Sequence, residues 1–245
     1  MKIFIKIIWK LRLILRIPFY RKVRGSRLWI PAEHRILEIQ KRYTKYDRFL
    51  PILAEYLPKA SLVIDVGANI GDTAIPMATA NNSLHFVCVE PNKSFLFYLE
   101  LNTRKLKSRI QNIPALIGVS DELFLLEGHG GTRHMKLDQS GQRCQSLDDV
   151  VTKIRFPNPI SLIKIDTDGN ELDVLKGFLG SFEAGLIATV LVETHPSNRN
   201  EIEAFFSELN FWEDESYLKL DGHSNHRREA KGNKERTKVY VCPVV

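Results

Sequence analysis

Six side chains able to bind or move charge recur at the ends of apolar runs: Asp65, Glu90, Ser120, Asp166, Glu193 and His195. Carboxylates so placed can accept hydrogen bonds from a ribose, balance a cationic ligand, or take a proton from a hydroxyl. His195, with an ordinary pKa near 6.5, suits proton removal close to neutrality. Asp166, Glu193 and His195 are therefore the candidate catalytic bases. Asp166, Asp168 and His195 would also offer a divalent cation such as Mg²⁺ an oxygen-rich set, but they sit on separate loops and no metal is favoured.

The runs that must carry these groups read as buried strands. Leu62, Val63, Ile64 and Val66 form a short β-branched stretch suited to a strand covered on both faces. Gly67 and Gly71 bracket a tight reversal, and Asp72 is placed to cap a helix over 73–80. Further strands are expected over 84–89, 113–119, 160–165 and 186–192, with helices over 93–107, 172–179 (stopped by Gly180) and 197–209. Two short strands around Gly128-His129-Gly130-Gly131 suggest a hairpin insertion between 122 and 143, with 141–144 as a mobile piece. Ser146 caps a short helix. Residues 211–220 and 237–242 read as a final antiparallel pair joined by a polar, mobile loop over 221–236. Strands alternating with helices imply an α/β fold, a doubly wound sheet with right-handed crossovers, and in such a sheet the carboxyl ends of the strands line one crevice.

The turn after the first of these strands indicates the ligand. Glu90 follows Gly71 by 19 residues, close to the interval of about 20 at which an acidic residue accepts from a ribose in adenosine-containing cofactors. Dinucleotide binding calls for Gly-x-Gly-x-x-Gly, whereas here Gly67-Ala-Asn-Ile-Gly71 follows Asp65. An acidic entry disfavours a diphosphate. S-adenosylmethionine has no phosphate, and its sulfonium and ammonium suit acidic neighbours. The competing readings are an NAD-dependent oxidoreductase and a non-catalytic, membrane-associated binding protein on the same fold. The Asp-Pro-Pro-Tyr and Asn-Pro-Pro-Tyr signatures of many amino-group methyltransferases on nucleic acids are absent after Ile165, which favours oxygen over exocyclic nitrogen.

Val-Ile-Asp65-Val-Gly67-Ala-Asn69-Ile-Gly71, Val-Glu90-Pro91-Asn92, Gly-Val-Ser120-Asp121, Gln-Ser-Leu147-Asp148-Asp149 and the run from Ile163 to Gly177 around Asp166-Thr-Asp168-Gly169 together resemble the FkbM-type S-adenosylmethionine-dependent methyltransferases. The resemblance covers residues 46–195. It implies a class I methyltransferase sheet, Rossmann-like and mostly parallel with seven strands and an antiparallel terminal strand, and O-methylation of hydroxyls on sugars or polyketides. By position it implies that Asp65, Gly67, Asn69 and Gly71 hold the methionine part of the cofactor, Glu90 the ribose, and Ser120 with Asp121 the adenine. The chain departs from the family where Thr167-Asp168-Gly169 replaces Val-Glu-Gly and Asn170 replaces an aromatic. The expected acceptor is a hydroxyl-bearing glycan, glycolipid or related small molecule.

Composition narrows the class further. The 245 residues are 44% hydrophobic and 26% charged, as in an ordinary folded protein, and they suffice for one α/β domain with an appendage. The formal charge of +6 is concentrated at the amino terminus: residues 1–30 hold nine Lys or Arg and no Asp or Glu, while the remainder holds 26 basic against 29 acidic side chains. A core that binds nucleic acid would carry its basic residues over a face of the folded domain, so no nucleic acid partner is expected. Cys88, Cys144 and Cys242 are odd in number and widely spaced, which indicates neither disulfides nor structural zinc and fits a cytoplasmic protein. Residues 2–17 place Lys2, Lys6, Lys10, Arg12 and Arg16 on one side of a helix and apolar residues on the other. Such a helix suits the interface of an anionic membrane, giving a peripheral attachment through residues 1–20, or docking on the domain itself. The expected division is therefore 1–30, a basic amphipathic helix and linker, and 31–245, the methyltransferase domain.

Overall fold

The computed structural model describes residues 15–23, 26–42, 47–129, 131–156, 159–216 and 236–242. The chain opens with β1 (Phe19–Val23), β2 (Ser26–Ile30), α1 (Ile36–Arg42) and α2 (Phe49–Tyr56). Then come β3 (Leu62–Val66), α3 (Ala74–Ala80), β4 (His85–Val89), α4 (Lys93–Thr103) and β5 (Ile110–Ile113). A group of short strands follows: β6 (Leu116–Ile117), β7 (Leu123–Glu127), β8 (His134–Leu137) and β9 (Gln142–Gln145). The remainder is α5 (Leu147–Val151), β10 (Ile160–Ile165), α6 (Glu171–Lys176), α7 (Leu179–Glu183), β11 (Thr189–Thr194), α8 (Arg199–Glu208), β12 (Trp212–Glu213) and β13 (Arg236–Val241).

Seven strands form the central sheet in the order β12-β13-β11-β10-β3-β4-β5. Every neighbouring pair from β11 to β5 is parallel, and β13 runs antiparallel to both β11 and β12. Strand order reverses between β3 and β10, so the loops leaving those two strands diverge and open a crevice at their carboxyl ends. All residues of β3, β10 and β11 are buried, which is why they read as continuous apolar runs. Alternate side chains go to opposite faces. Ile64 and Ile163 pack with Leu147, Val174, Phe178 and Phe206 on one face, while Val63 and Leu162 pack with Leu53, Met77 and Leu99 on the other.

Several boundaries differ from the sequence reading. Residues 19–23 and 26–30, expected as part of a helix and linker, pair as the antiparallel strands β1 and β2. Leu28 and Ile30 are buried with Ile70, Ile75 and Phe95, and Asn102 on α4 hydrogen-bonds both the N–H and the carbonyl of Trp29. The β1–β2 pair therefore packs against α4 and the segment after β3. Of the expected amphipathic helix, residues 1–14 lie outside the described residues; Leu15 and Arg16 form a turn, with Arg16 at φ 49°. α1 and α2 precede the first strand of the central sheet, and Pro51 sits in the first turn of α2, where its missing N–H costs nothing.

The third strand is displaced. Its main-sheet portion is 110–113, where Gln111 and Asn112 look polar but spend their side chains on Lys153, Arg155 and Thr103. Pro114 ends it, and Leu116–Ile117 joins the smaller sheet β6-β9-β7-β8 instead. Residues 142–144, read as mobile, lie in β9, which pairs with both β6 and β7. Gly180 lies inside α7, its N–H held by the Asp148 carboxylate. The loop 221–235 is outside the described residues.

Candidate active site

The crevice is a cavity of about 60 Å³ at the carboxyl ends of β3, β4 and β10, floored by Val66 and Val89. The smaller sheet lays apolar walls over it: Leu116 and Ile117 from β6, Leu126 from β7 and Met135 from β8. Polar groups enter from the strand-end turns: Asn69, Glu90, Asp166 and Asp168. Its mixture of apolar walls with a few converging polar groups is that of a small-molecule site.

Glu90 ends β4 and is 5% exposed. One carboxylate oxygen accepts the Asn69 N–H and the other the Asn92 N–H, both at 2.8 Å. Burial raises its pKa to about 7 against the lowering effect of those two N–H groups. Each oxygen retains a lone pair for a ligand hydroxyl.

Asp65 takes a different place from the one expected. It is 2% exposed, accepts from Thr73 Oγ1 at 2.6 Å and pairs with Lys164 Nζ at 3.2 Å. It lies beneath the cavity, not on its wall. Lys164 also reaches Asp166 at 3.4 Å. Burial acts to lower the lysine's pKa, but the Asp65 and Asp166 carboxylates more than offset it, so the ammonium is held well above its ordinary range. The three residues form a buried line of charge from β3 across β10 to the cavity, where Asp166 keeps 23% of its side chain exposed.

The turn after β10 is set by Glu171, which is fully buried. One oxygen accepts from the Thr167 N–H, the Thr167 hydroxyl and the Gly169 N–H, and the other from Asn198 Nδ2. Asp168 is thereby fixed at φ 56°, with its carboxylate accepting the Arg133 N–H at 2.9 Å. Gly67 passes so close to this turn that a Cβ there would stand 1.9 Å from the Asp166 carbonyl oxygen. Glycine is required by contact as well as by its φ of 82°.

The β7–β8 loop closes over the turn after β3. His34 Nδ1 accepts the Ile36 N–H at 3.1 Å, so Nε2 carries the ring hydrogen and donates to Asn69 Oδ1 at 2.9 Å. Asn69 Nδ2 donates in turn to the Gly131 carbonyl at 2.9 Å. Arg133 stacks its guanidinium 4.4 Å from the Phe95 ring centroid. Sequence reading missed His34, Gly131, Arg133 and Phe95. Arg133 sits beside the glycine cluster already noted, which was the available signal.

Of the remaining expected residues, Gly67 and Asn69 line the cavity and Gly71 does not; Gly71 lies against Leu99 and Ile75, where a Cβ would crowd both. Ser120 and Asp121 stand outside it. Ser120 Oγ accepts the Glu122 N–H, and the fully exposed Asp121 carboxylate pairs with Arg143. Of the candidate bases, only Asp166 reaches the cavity. Glu193 is buried within β11, and His195 Nε2 lies 3.8 Å from Glu171 Oε1, behind the turn. The candidate cation set is thus divided, and among the described residues no group of three or more His, Cys, Asp or Glu could hold a metal ion.

A second cavity of about 50 Å³ adjoins the first, sharing Gly67, Asn69, Gly131, Asp166 and Asp168. Asp72, Lys164 and His34 also line it. Its carboxylates outnumber its single lysine. Burial raises the Asp72 pKa and lowers that of His34.

The Methyltransferase FkbM domain model matches residues 65–217, which spans β3 to β12. The chain belongs to the FkbM methyltransferase family. The hexuronic acid methyltransferase AglP of Haloferax volcanii is 26% identical over 190 residues, covering 74% of this chain and 76% of the relative. Among solved structures, human methyltransferase 10 domain containing protein overlays with a TM-score of 0.52 at 13% identity, covering 96% of this chain and 95% of that one. The structure of aTrm5 in complex with tRNALeu overlays at 0.51 and 12% identity, covering 92% of this chain and 53% of that one. These overlays show the fold that the FkbM chain adopts, and the β12-β13-β11-β10-β3-β4-β5 sheet is its core. Family membership displaces the oxidoreductase and non-catalytic readings.

Proposed function

We propose that this FkbM chain is an S-adenosylmethionine-dependent O-methyltransferase that acts on a hydroxyl of a glycan. The observation that carries the reading is the union of two cavities at Asp166: one apolar-walled with the Glu90 carboxylate, the other polar. Glu90 would accept from the ribose hydroxyls, the turn at Gly67 and Asn69 would receive the methionine part, and the β6, β7 and β8 side chains would cover the adenine. S-adenosylmethionine, when bound, supplies a methyl group on a cationic sulfur. The chain's own task is to align a hydroxyl and remove its proton. Asp166 is the base that fits, because its carboxylate is exposed to both cavities while Lys164 anchors it from below. The hexuronic acid relative supports a saccharide acceptor.

No helix among the described residues is long and apolar enough to cross a membrane. Peripheral attachment through residues 1–20 is part of the proposal, and liposome sedimentation of the chain with and without them tests it; equal sedimentation rejects it. For the reaction, radiolabelled methyl transfer from S-adenosylmethionine onto saccharide fractions is the decisive measurement. Asp166→Asn is expected to lower kcat at least about 100-fold with cofactor affinity kept. No transfer by the native protein, or no cofactor binding, ends the reading.

A further inference from the structure

A groove of about 510 Å³ runs outward from the second cavity, and Ile36 and Asp72 line both. Its apolar lining is Leu28, Ile30, Leu37, Pro51 and Pro76, and its basic groups are Arg21, Lys22, Lys41 and Arg48, all exposed. Arg21 donates to the neutral Gln40 carboxamide. Among the described residues, no ion pair engages Lys22, Lys41 or Arg48. Four cations face two carboxylates here, Asp47 and Asp72. Asp72 sits at the junction with the inner cavity, and Asp47 acts on the buried Lys164.

Charge is therefore segregated along one continuous path: basic outside, acidic inside at Asp72, Asp166 and Asp168. An acceptor entering it is oriented by that segregation, with an anion in the groove and an uncharged hydroxyl at the inner end. The four cations come from β1, the end of α1 and the start of α2, so they are distributed among three elements and not gathered into one fork. Such a spread suits singly charged groups along a chain better than one dense phosphate. The aliphatic floor suits the C–H faces of sugar rings.

We propose that this groove is the outer acceptor subsite and holds a carboxylate-bearing sugar of an acidic glycan, placing a neutral hydroxyl of the adjoining unit at Asp166. The inference rests on the glycan O-methyltransferase reading above.

The test is calorimetric titration of the full chain with a tetrasaccharide alternating glucuronic acid and N-acetylglucosamine, against its carboxyl-reduced counterpart. S-adenosylhomocysteine is titrated separately. The acidic form is expected to bind at least about tenfold tighter, with the gap closing between about 50 and 200 mM salt. Lys41→Ala/Arg48→Ala changes exposed side chains only. It should weaken the acidic form about tenfold, leave the reduced form unchanged and keep the S-adenosylhomocysteine affinity. Equal binding of the two saccharides, no binding of either, or an undiminished preference in the double variant overturns the proposal. So does binding to phosphatidylglycerol vesicles that the double variant abolishes while the tetrasaccharide stays unbound, which would make the groove a lipid-headgroup surface. If the acidic saccharide binds through Lys41 and Arg48 but S-adenosylhomocysteine does not bind, the cofactor reading fails and the groove assignment stands.

Discussion

His34 Nε2 donates to Asn69 Oδ1 at 2.9 Å across 35 residues of sequence, and through Asn69 it holds both the Glu90 carboxylate and the Gly131 carbonyl. The segment before α1 thus positions the Asn69 turn and the Gly131 cover of the cavity with one neutral imidazole.

His34→Ala removes that donor and leaves the Asn69 oxygen short of a partner. One buried hydrogen bond contributes about 1 kcal/mol net and leaving a partner unpaired costs up to about 3, so S-adenosylmethionine affinity should fall about 5- to 100-fold by calorimetry. Acid sensitivity should change as well. Burial lowers the His34 pKa below 6.5 in the folded chain, so the unfolded chain takes up the proton first and His34 costs stability as pH falls through 6.5. Thermal melts at pH 5.5 and 7.5 should show a smaller acid-side loss in the variant than in the native chain. An equal loss in both would assign the effect to other groups.

What could be read from the sequence follows from how local each signal is. β3, β4 and β10 are buried on both faces, so Asp65, Glu90 and Asp166 were visible as polar ends of apolar runs, and Gly67 as the break. β5 and β9 were not visible, because Gln111, Asn112, Gln142 and Arg143 carry polar side chains on short strands with no alternation. Asp65 was placed at the ligand because its position on the strand says nothing about Lys164, which is 99 residues away and compensates its charge. Ser120 and Asp121 were assigned to the adenine by family position alone. His34 and Arg133 have no local signature: their role exists only once the β1–β2 pair, the turn after β3 and the cover loop meet.

Glu90 predicts proton-linked binding. With its pKa raised to about 7 by burial, about half of the free chain carries a protonated Glu90 at neutrality, whereas ribose hydroxyls donate best to the ionised form. Affinity for S-adenosylmethionine should rise with pH through 7 and level off above it, with proton release measurable by titration in buffers of different ionisation enthalpy. Stability without cofactor runs the other way: the raised pKa stabilises the fold fully below about 4.5 and that contribution is lost as pH rises through 7, a change on the order of 3 kcal/mol. Glu90→Gln should bind about tenfold more weakly and without the pH slope. A flat affinity profile from pH 6 to 8 in the native chain would remove Glu90 from the ribose.

Lys164 predicts non-additivity. Its side chain is 4% exposed between Asp65 and Asp166, so Lys164→Met leaves Asp65 charged and buried, at a cost of about 3 to 5 kcal/mol. Adding Asp65→Asn removes the stranded charge and should recover about half of that loss in urea melts. Purely additive losses would show that the pair does not act as a unit.

Gly67 and Gly169 make a paired test of the turn geometry, because both have positive φ but only one is crowded. At Gly67 the φ of 82° is strained for alanine, and the new Cβ would fall 1.9 Å from the Asp166 carbonyl oxygen, so the backbone of one of the two turns must move. At Gly169 the φ is 118° with nothing within 4 Å of the new Cβ. Gly169→Ala should therefore cost only the backbone strain, about 1 to 3 kcal/mol. Gly67→Ala should cost more, because displacing Asp166 also disturbs its contact with Lys164. It should lower cofactor affinity, which Gly169→Ala alters less because its Cβ meets no neighbour. Thermal melts and calorimetry on the two variants decide the point: equal losses would mean that close approach of the β3 and β10 turns does not govern the site.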